Sequence, residues 1–209
     1  MKNKNLTEFV ETSLLIAIIF LLTFVPNIGY IPTPLINITI IHIPVIIGSV
    51  ILGPKKGAIL GLAFGVSSFI KNTFFPSSAM ALFFSPLSHI SVGYYLGALY
   101  SLVICFVPRI LVGVLPYYGY VFLKKKLPDT ISLFVSGILG SMTNTILVMG
   151  LIGVLFNSEY AKMLGEKAVN GVFYLIGVTI ATNGVAEAVA AAIFTAAIAK
   201  ALFKVKKSL

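Results

Sequence analysis

The sequence is poor in charged residues, in cysteine and in tryptophan. Asp, Glu, Lys and Arg together make up 10% of the 209 residues, whereas a soluble domain carries about 25%. Hydrophobic residues reach 58%, which predicts an integral membrane protein. The single cysteine, Cys105, excludes an internal disulfide. The absence of tryptophan slightly disfavours a site that stacks a large ring, although 16 Phe and 9 Tyr remain for that purpose.

Motifs for catalysis, nucleotide hydrolysis and metal binding are also missing. The sequence has no G-x-x-x-x-G-K-[ST] phosphate loop, no H-E-x-x-H, no G-x-S-x-G and no His/Cys/Asp cluster with metal spacing. We therefore expect neither enzyme activity nor a cofactor. No inverted repeat is detectable, which argues against a self-contained carrier. A membrane enzyme that uses Glu187 and His89 is the weakest alternative, because no nucleophile accompanies them.

Lysine residues cluster at the ends of the apolar runs, and this placement predicts the topology. The net charge of +9 then reflects the excess of cations on the cytoplasmic side of a membrane, and not nucleic-acid binding. An all-α protein with six transmembrane helices and both termini in the cytoplasm satisfies this rule. The predicted spans, within a single domain of residues 1–209, are residues 6–25, 36 or 42–52, 57–69, 99 or 108–123, 131–156 and 171–203.

Two segments between the spans are predicted to lack a spanning helix. Residues 26–41 contain three prolines, and the alternation in residues 36–40, Ile-Asn-Ile-Thr-Ile, indicates a short extended segment. Residues 73–106 are expected to form a long, structured outer loop rich in aromatic residues, and such loops tend to be functional. Weaker ligand candidates in or beside this loop are His89, Tyr94 and Asn72. The alternatives are a structural role for His89 and helix capping by Asn72.

Glycines recur every fourth residue from Gly53 to Gly65, around the polar turn Gly53-Pro-Lys-Lys-Gly57. The flanking apolar runs are predicted to form a membrane helical hairpin. Positions four apart share one face of a helix, and small residues let membrane helices approach closely. Gly57, Gly61 and Gly65 therefore form a smooth strip, which either packs within the chain or docks a partner protein.

Four polar side chains are predicted at similar membrane depth. Counted from the cytoplasmic lysines at about 1.5 Å per residue, Arg109, Asn144, Asn183 and Glu187 lie between the midplane and the outer surface. Asn183 and Glu187 also share a helix face. Intramembrane ionisable groups either mark a functional site or pair with one another. Two compatible interpretations follow: a binding cavity open to the outside, and an Arg109–Glu187 pair that joins two helices.

Several motifs together resemble one family of membrane proteins. They are His42-Ile-Pro-Val-Ile-Ile-Gly48, Gly53-Pro54 with Gly57 and Gly61, Phe106-Val-Pro-Arg-Ile-Leu-Val-Gly113, and Asn183-Gly184 with Glu187-Ala188. Over nearly its whole length, the sequence resembles the substrate-binding S components of energy-coupling factor (ECF) vitamin transporters.

This resemblance implies a six-helix protein of the bacterial cell membrane that binds a vitamin on its outer side. It also implies three partners, namely a transmembrane coupling protein and two cytoplasmic ATPases, and a toppling motion during transport. In the family, small residues in the first span contact the coupling protein, often as Ala-x-x-x-Ala. The matching residues here are Ser13 and Ala17, and Leu21 departs from the pattern.

The substrate is suggested by residues 41–48, Ile-His-Ile-Pro-Val-Ile-Ile-Gly, which look most like the pantothenate members of the family. Pantothenate carries a carboxylate, which Arg109 can bind by a two-pronged hydrogen bond. The Pro-Arg pair recurs across substrates in the family, so it discriminates poorly. We therefore expect pantothenate, with riboflavin, folate and pyridoxine-type substrates as alternatives.

Overall fold

The computed structural model describes residues 4–26, 28–31, 38–165 and 170–208. Helices dominate these residues, and one antiparallel hairpin pairs Tyr30 with Thr39 and Ile31 with Ile38. The elements in chain order are α1 Lys4–Phe24, β1 Tyr30–Ile31, β2 Ile38–Thr39, α2 His42–Leu52, α3 Pro54–Phe74, a 3₁₀ helix Ala79–Phe84, α4 Pro86–Ile90, α5 Tyr95–Leu123, α6 Asp129–Leu155, α7 Asn157–Met163, α8 Asn170–Thr179, a π-helical turn Ile180–Gly184, and α9 Val185–Ser208.

Five helical stretches among the described residues are long and apolar enough to cross a membrane. They cover residues 5–24, 54–74, 95–123, 129–155 and 171–206, the last of which joins α8, the π-helical turn and α9. The prediction of an all-α membrane protein is confirmed. α2 is also apolar, but its 11 residues extend only about 16 Å, roughly half of the hydrocarbon core.

α2 lies in the centre of the protein. Residues 42–50 of this helix are all buried, and α2 contacts α1, α3, α5, α6 and α9. Gly53 ends the helix with a φ of 88°, a value that favours glycine. Pro54 then begins α3 at a position where its missing N–H is not needed. The predicted α2–turn–α3 hairpin is thus confirmed, and protein surrounds its first arm.

The glycine strip of α3 faces α5 of the same chain. A Cβ atom added at Gly57 would overlap the carbonyl oxygen of Gly113, and one added at Gly61 would overlap that of Arg109. At Gly65 the added atom would lie 2.7 Å from the Phe106 ring. The prediction that Gly57, Gly61 and Gly65 dock a partner protein is therefore corrected, because α5 already covers this face of α3. The strip packs within the chain, which was the alternative interpretation.

The helix α5 begins at Tyr95, earlier than the predicted start at residue 99 or 108, and Pro108 lies inside it. Proline removes the amide proton that would bond to the carbonyl four residues earlier, which here is that of Ile104. Arg109 Nη1 donates to this oxygen at 2.7 Å. The guanidinium thus satisfies the released carbonyl, and the helix continues through the proline.

The segment between α3 and α5 is shorter than the predicted loop of residues 73–106, because α5 begins at Tyr95. Residues 79–84 and 86–90 within it are helical. Phe83 is fully buried. Its ring lies 5.2 Å from that of Phe156 and 5.8 Å from that of Tyr160. This aromatic cluster fixes the segment against the end of α6 and against α7, a short helix between the last two predicted spans. Residues 166–169, which follow in the chain, lie outside the described residues.

The extended segment expected before α2 is present at Ile38–Thr39, and residues 36 and 37 lie outside the described residues. The last predicted span is helical from residue 171 to 206 and contains the π-helical turn at Ile180–Gly184. A π turn adds one residue to a helical turn, and such turns are frequent at functional sites.

Candidate functional site

A cavity lies where the hairpin, α3, the 3₁₀ helix, α5, α6 and the α8–α9 junction meet. It contains about 650 Å³ of empty space, counted to its open mouth. Along the helices, at least 13 residues, or about 20 Å, separate its lining residues Ser68, Arg109 and Glu187 from the lysine-rich end of the protein, which is marked by Lys55, Lys125 and Lys200. Its lining residues are Tyr30, Thr39, Ser68, Asn72, Ser78, Met80, Ala81, Phe84, Arg109, Asn144, Thr145, Val148, Met149, Thr179, Asn183 and Glu187.

Arg109 supplies the positive charge of this cavity. Its side chain is 5% exposed, and its guanidinium carbon lies 5.3 Å from the Phe64 ring centre and 4.9 Å from that of Phe84. These rings favour a cation above their faces. Nε is buried and has no hydrogen-bond partner among the described residues. The guanidinium is therefore held in place while part of its donor capacity stays unused.

Glu187 connects three elements at the cavity wall. One carboxylate oxygen accepts a hydrogen bond from the backbone N–H of Thr39 in β2 at 2.6 Å. The other accepts from the Thr145 hydroxyl of α6 at 2.9 Å. The expected Arg109–Glu187 ion pair is not formed, since the ion pairs within the described ranges are Lys124–Asp129 and Lys206–Glu11. Protein donors thus engage both oxygens of the Glu187 carboxylate.

The polar amides come from α3, α6 and the π-helical turn. Asn144 is 5% exposed, and its side-chain oxygen has no hydrogen-bond partner among the described residues. Asn183 lines the cavity from the π-helical turn. Asn72 donates to the Ser68 backbone oxygen at 2.8 Å, and the Ser68 hydroxyl lies 3.1 Å from that of Tyr30. A polar molecule in the cavity meets amides and hydroxyls on several sides.

His89 and Tyr94 do not line this cavity. The His89 ring stacks on Phe156 at 4.9 Å, and the Tyr94 ring meets His89 edge-on at 5.7 Å. Both belong to the segment between α3 and α5, outside the spanning helices. Burial lowers the pKa of His89, so its ring is predominantly neutral at pH 7. The structure therefore brings together five of the predicted ligand residues and separates these two from them.

Comparison with known proteins gives the family. The sequence pattern described as "ECF transporter, substrate-specific component" matches residues 7–199. The chain belongs to this family. The ECF family assignment agrees with the resemblance inferred from the sequence motifs, and it accounts for a small helical membrane protein that carries a polar cavity and no nucleotide-binding motif.

Two relatives are similar along nearly their whole lengths. The chain is 36% identical over 212 residues to the "Pantothenic acid transporter PanT" of Lactococcus lactis subsp. cremoris, with 100% of both chains covered. It is 29% identical over 213 residues to the "Pantothenate transporter PanT" of Leuconostoc mesenteroides, with 97% of this chain and 95% of the relative covered. The ECF family match and the five apolar helices make this chain a multi-pass protein of the bacterial cell membrane.

Several residues that line the cavity of this ECF protein were not predicted from the sequence. Thr179 precedes Asn183 and Glu187 at the same four-residue spacing, so a polar helix face was available as a signal. Tyr30 and Thr39 reach the cavity only because the hairpin folds over it. Nothing in the local sequence marks those two residues.

The residues expected to meet a coupling protein, Ser13 and Ala17, both lie on the exposed surface of α1. This helix is the most peripheral of the five long stretches, since only 17% of the residues in its apolar 18-residue stretch are buried. Its outer face is thus accessible in the isolated ECF subunit, in contrast to the glycine strip of α3.

Proposed function

We propose that this chain is the pantothenate-binding subunit of an ECF importer and that the cavity described above holds the vitamin. The observation that carries the proposal is Arg109, a buried cation in the cavity wall without an ion-pair partner among the described residues. A buried charge is costly unless it is paired. A ligand carboxylate supplies the missing charge, and the names of both relatives point to a vitamin that has one.

The proposed orientation follows from the chemistry of pantothenate. The carboxylate lies at Arg109, which can accept it bidentately. The amide and the two hydroxyl groups face Asn144, Asn183 and Thr179. The two methyl groups on the quaternary carbon suit the apolar part of the wall. That part includes Met80, Val148 and Met149.

In this proposal Glu187 acts mainly on the shape of the site. Its carboxylate holds Thr39 of the hairpin and Thr145 of α6 together. Because both oxygens already accept hydrogen bonds from protein donors, the side chain has less capacity for a ligand than Arg109 has. Asn72 contributes a further amide to the cavity wall, from α3.

The proposed topology has six crossings, with α2 and its preceding hairpin as one of them and both termini in the cytoplasm. The lysine-rich end is then cytoplasmic, and the cavity opens outwards. The subunit works with a transmembrane coupling protein and two ATPases, which it meets through the α1 face that carries Ser13 and Ala17. It binds its vitamin without chemical turnover.

The deciding experiment is calorimetric titration of the purified chain with pantothenate and with panthenol, in which a hydroxymethyl group replaces the carboxylate. The wild-type protein is expected to bind pantothenate about a hundredfold or more tightly than panthenol, because panthenol leaves the Arg109 charge buried and unpaired. Arg109→Gln should lose most of this preference. Arg109→Lys, which keeps the charge but not the bidentate geometry, should retain part of it.

A second result would contradict the assignment of Arg109. If Arg109→Gln weakened both ligands equally, the residue would act only through the Ile104 carbonyl. Titration with riboflavin, folate and pyridoxine completes the test, since tight binding of one of these in place of pantothenate would overturn the substrate.

A further inference from the structure

A second recess lies at the lysine-rich end of the protein, between the start of α6 and the end of α9. It contains about 920 Å³ of empty space, counted to its mouth. It is separate from the vitamin cavity and shares no residue with it. We call it the lysine cleft, and its lining residues are Asp129, Leu133, Ala197, Lys200, Ala201, Phe203 and Lys204.

The cleft follows from how α6 and α9 pack. At Gly137 and Ala191 the two helices are very close, because a Cβ added at Gly137 would lie 2.6 Å from the Ala191 carbonyl oxygen. Closer to the lysine-rich end, Leu133 is fully buried in a cluster with Ala196. The neighbouring face of α9 carries only small apolar side chains at positions 197 and 201, and they leave the space beside α6 unfilled.

The charge around the lysine cleft is positive. Lys200 and Lys204 are four residues apart on α9, so they lie on the same face, and both are exposed. The acidic residue of the lining, Asp129, already pairs with Lys124 at 3.2 Å and accepts a hydrogen bond from Tyr120. Neither Lys200 nor Lys204 belongs to an ion pair in the part of the chain that the structure describes.

The remainder of the lysine cleft is apolar, and it continues onto a membrane-facing surface. Phe203 forms part of the wall, and its ring stacks on Tyr120 at 5.8 Å. Further along the same two helices, Ile193, one turn from Ala197, and Phe134 expose 54% and 39% of their surface. A ligand that suits this arrangement has an anionic head at the lysines and a hydrocarbon tail along α6 and α9.

We propose that the lysine cleft binds one anionic phospholipid, with its phosphate between Lys200 and Lys204. Basic recesses between membrane helices recognise anionic headgroups. Lysine is suited to this position because its aliphatic stem packs on apolar surface while its ammonium group reaches the headgroup layer. The bound lipid fills the gap between α6 and α9, so it also stabilises the contact between the two helices.

The test is native mass spectrometry of the full chain in detergent, titrated with phosphatidylglycerol and, separately, with phosphatidylcholine of the same acyl chains. Wild-type protein is expected to bind one phosphatidylglycerol in clear preference to phosphatidylcholine. The double variant Lys200→Gln/Lys204→Gln should weaken phosphatidylglycerol binding by roughly thirtyfold, from the loss of two cations near a headgroup. Its pantothenate affinity should not change, which verifies that the variant is folded.

The matched control is Lys55→Gln/Lys56→Gln, which removes the same charge from the same end of the protein but outside the cleft. This variant should retain wild-type preference for phosphatidylglycerol. Equal loss in both double variants would overturn the proposal in favour of diffuse attraction between a basic surface and anionic lipid. Equal binding of the two phospholipids by the wild-type protein would overturn it as well.

Discussion

Arg109 and Pro108 are adjacent residues whose effects cannot be separated. Pro108 releases the Ile104 carbonyl from the helix backbone, and Arg109 satisfies it at 2.7 Å. The same guanidinium lines the cavity. Substitution of Arg109 therefore changes both helix stability and ligand charge. This is why its test needs a pair of ligands that differ only in the carboxylate.

Substitutions at Glu187 can distinguish a role for its negative charge from a role for its hydrogen bonds. Glu187→Gln keeps an oxygen for the Thr39 amide and gains an NH₂ group that can donate to the Thr145 hydroxyl. Glu187→Ala removes both contacts and leaves a buried amide unpaired, at a cost of about 1–3 kcal/mol. We expect near-wild-type melting temperature and pantothenate affinity for the Gln variant, and lower values of both for the Ala variant, by thermal melting and calorimetry.

Thr145→Val supplies the control for Glu187, because it removes one of the two contacts with little change of shape. Its effect should fall between those of the Gln and Ala variants. If Glu187→Gln lost as much affinity as Glu187→Ala while remaining as stable as the wild type, the negative charge itself would contact the ligand.

At the residue scale, the sequence was most informative where polar groups lie on spanning helices. Arg109, Asn144, Asn183 and Glu187 stood out because such groups are expensive in a membrane, and all four line one cavity. Tyr30 gave no such signal, since a tyrosine near a loop is unremarkable until the fold places it. The detailed partners also depended on the fold: Glu187 bonds to threonines and not to Arg109.

At the scale of elements, the packing of α3 on α5 depends on glycine in both helices. The added Cβ of Gly57 would overlap the Gly113 carbonyl, and that of Gly113 would overlap the Gly57 carbonyl. Both contacts involve backbone atoms, which cannot rotate away as a side chain can. The helices must therefore move apart if either glycine is replaced by a residue with a side chain.

Gly57→Ala is expected to destabilise the protein by about 1–3 kcal/mol, the usual cost of overpacking, although alanine favours helix formation. Gly150→Ala in α6 is the matched control, because no atom lies within 4 Å of its added Cβ. That variant should be neutral or slightly more stable. Melting curves in detergent distinguish the two, and equal stability of both variants would contradict the close α3–α5 contact.

The existence of most helices was predictable from apolar runs, but their ends were not. Proline usually marks a helix start or stop, so Pro108 suggested a late start for α5. The helix nevertheless starts at Tyr95 and runs through Pro108, because the side chain of the neighbouring Arg109 satisfies the carbonyl that the proline releases. The centrality of α2 was likewise invisible, since a short apolar run gives no indication of whether protein or lipid surrounds it.

At the scale of the whole molecule, α1 is separated from the binding cavity. None of the cavity-lining residues belongs to α1, and Ser13 and Ala17 are exposed. α1 packs mainly on α3 and α2. A substitution on the outer face of α1 should therefore affect contact with a partner protein and leave the cavity unchanged.

Ala17→Leu is expected to leave pantothenate affinity unchanged and to reduce pantothenate uptake several-fold in cells that contain the complete transporter, because a bulky side chain prevents close helix contact. Ala186→Leu makes the same change at an exposed site on α9 and should transport normally. Normal uptake by the Ala17 variant would exclude this face of α1 from docking.

The short α2 has an electrical consequence. Thr39, in the cavity wall, lies just before this helix, and the lysine turn lies just after it. This part of the cavity wall is therefore about 16 Å from the lysine-rich end, near the middle of the hydrocarbon core. In the proposed orientation, an anionic vitamin that enters from outside crosses part of the membrane potential, which opposes it with up to about 2.3 kcal/mol per charge at 100 mV. The guanidinium of Arg109 offsets part of this cost, and the remainder should make the affinity lower in an energised membrane than in detergent.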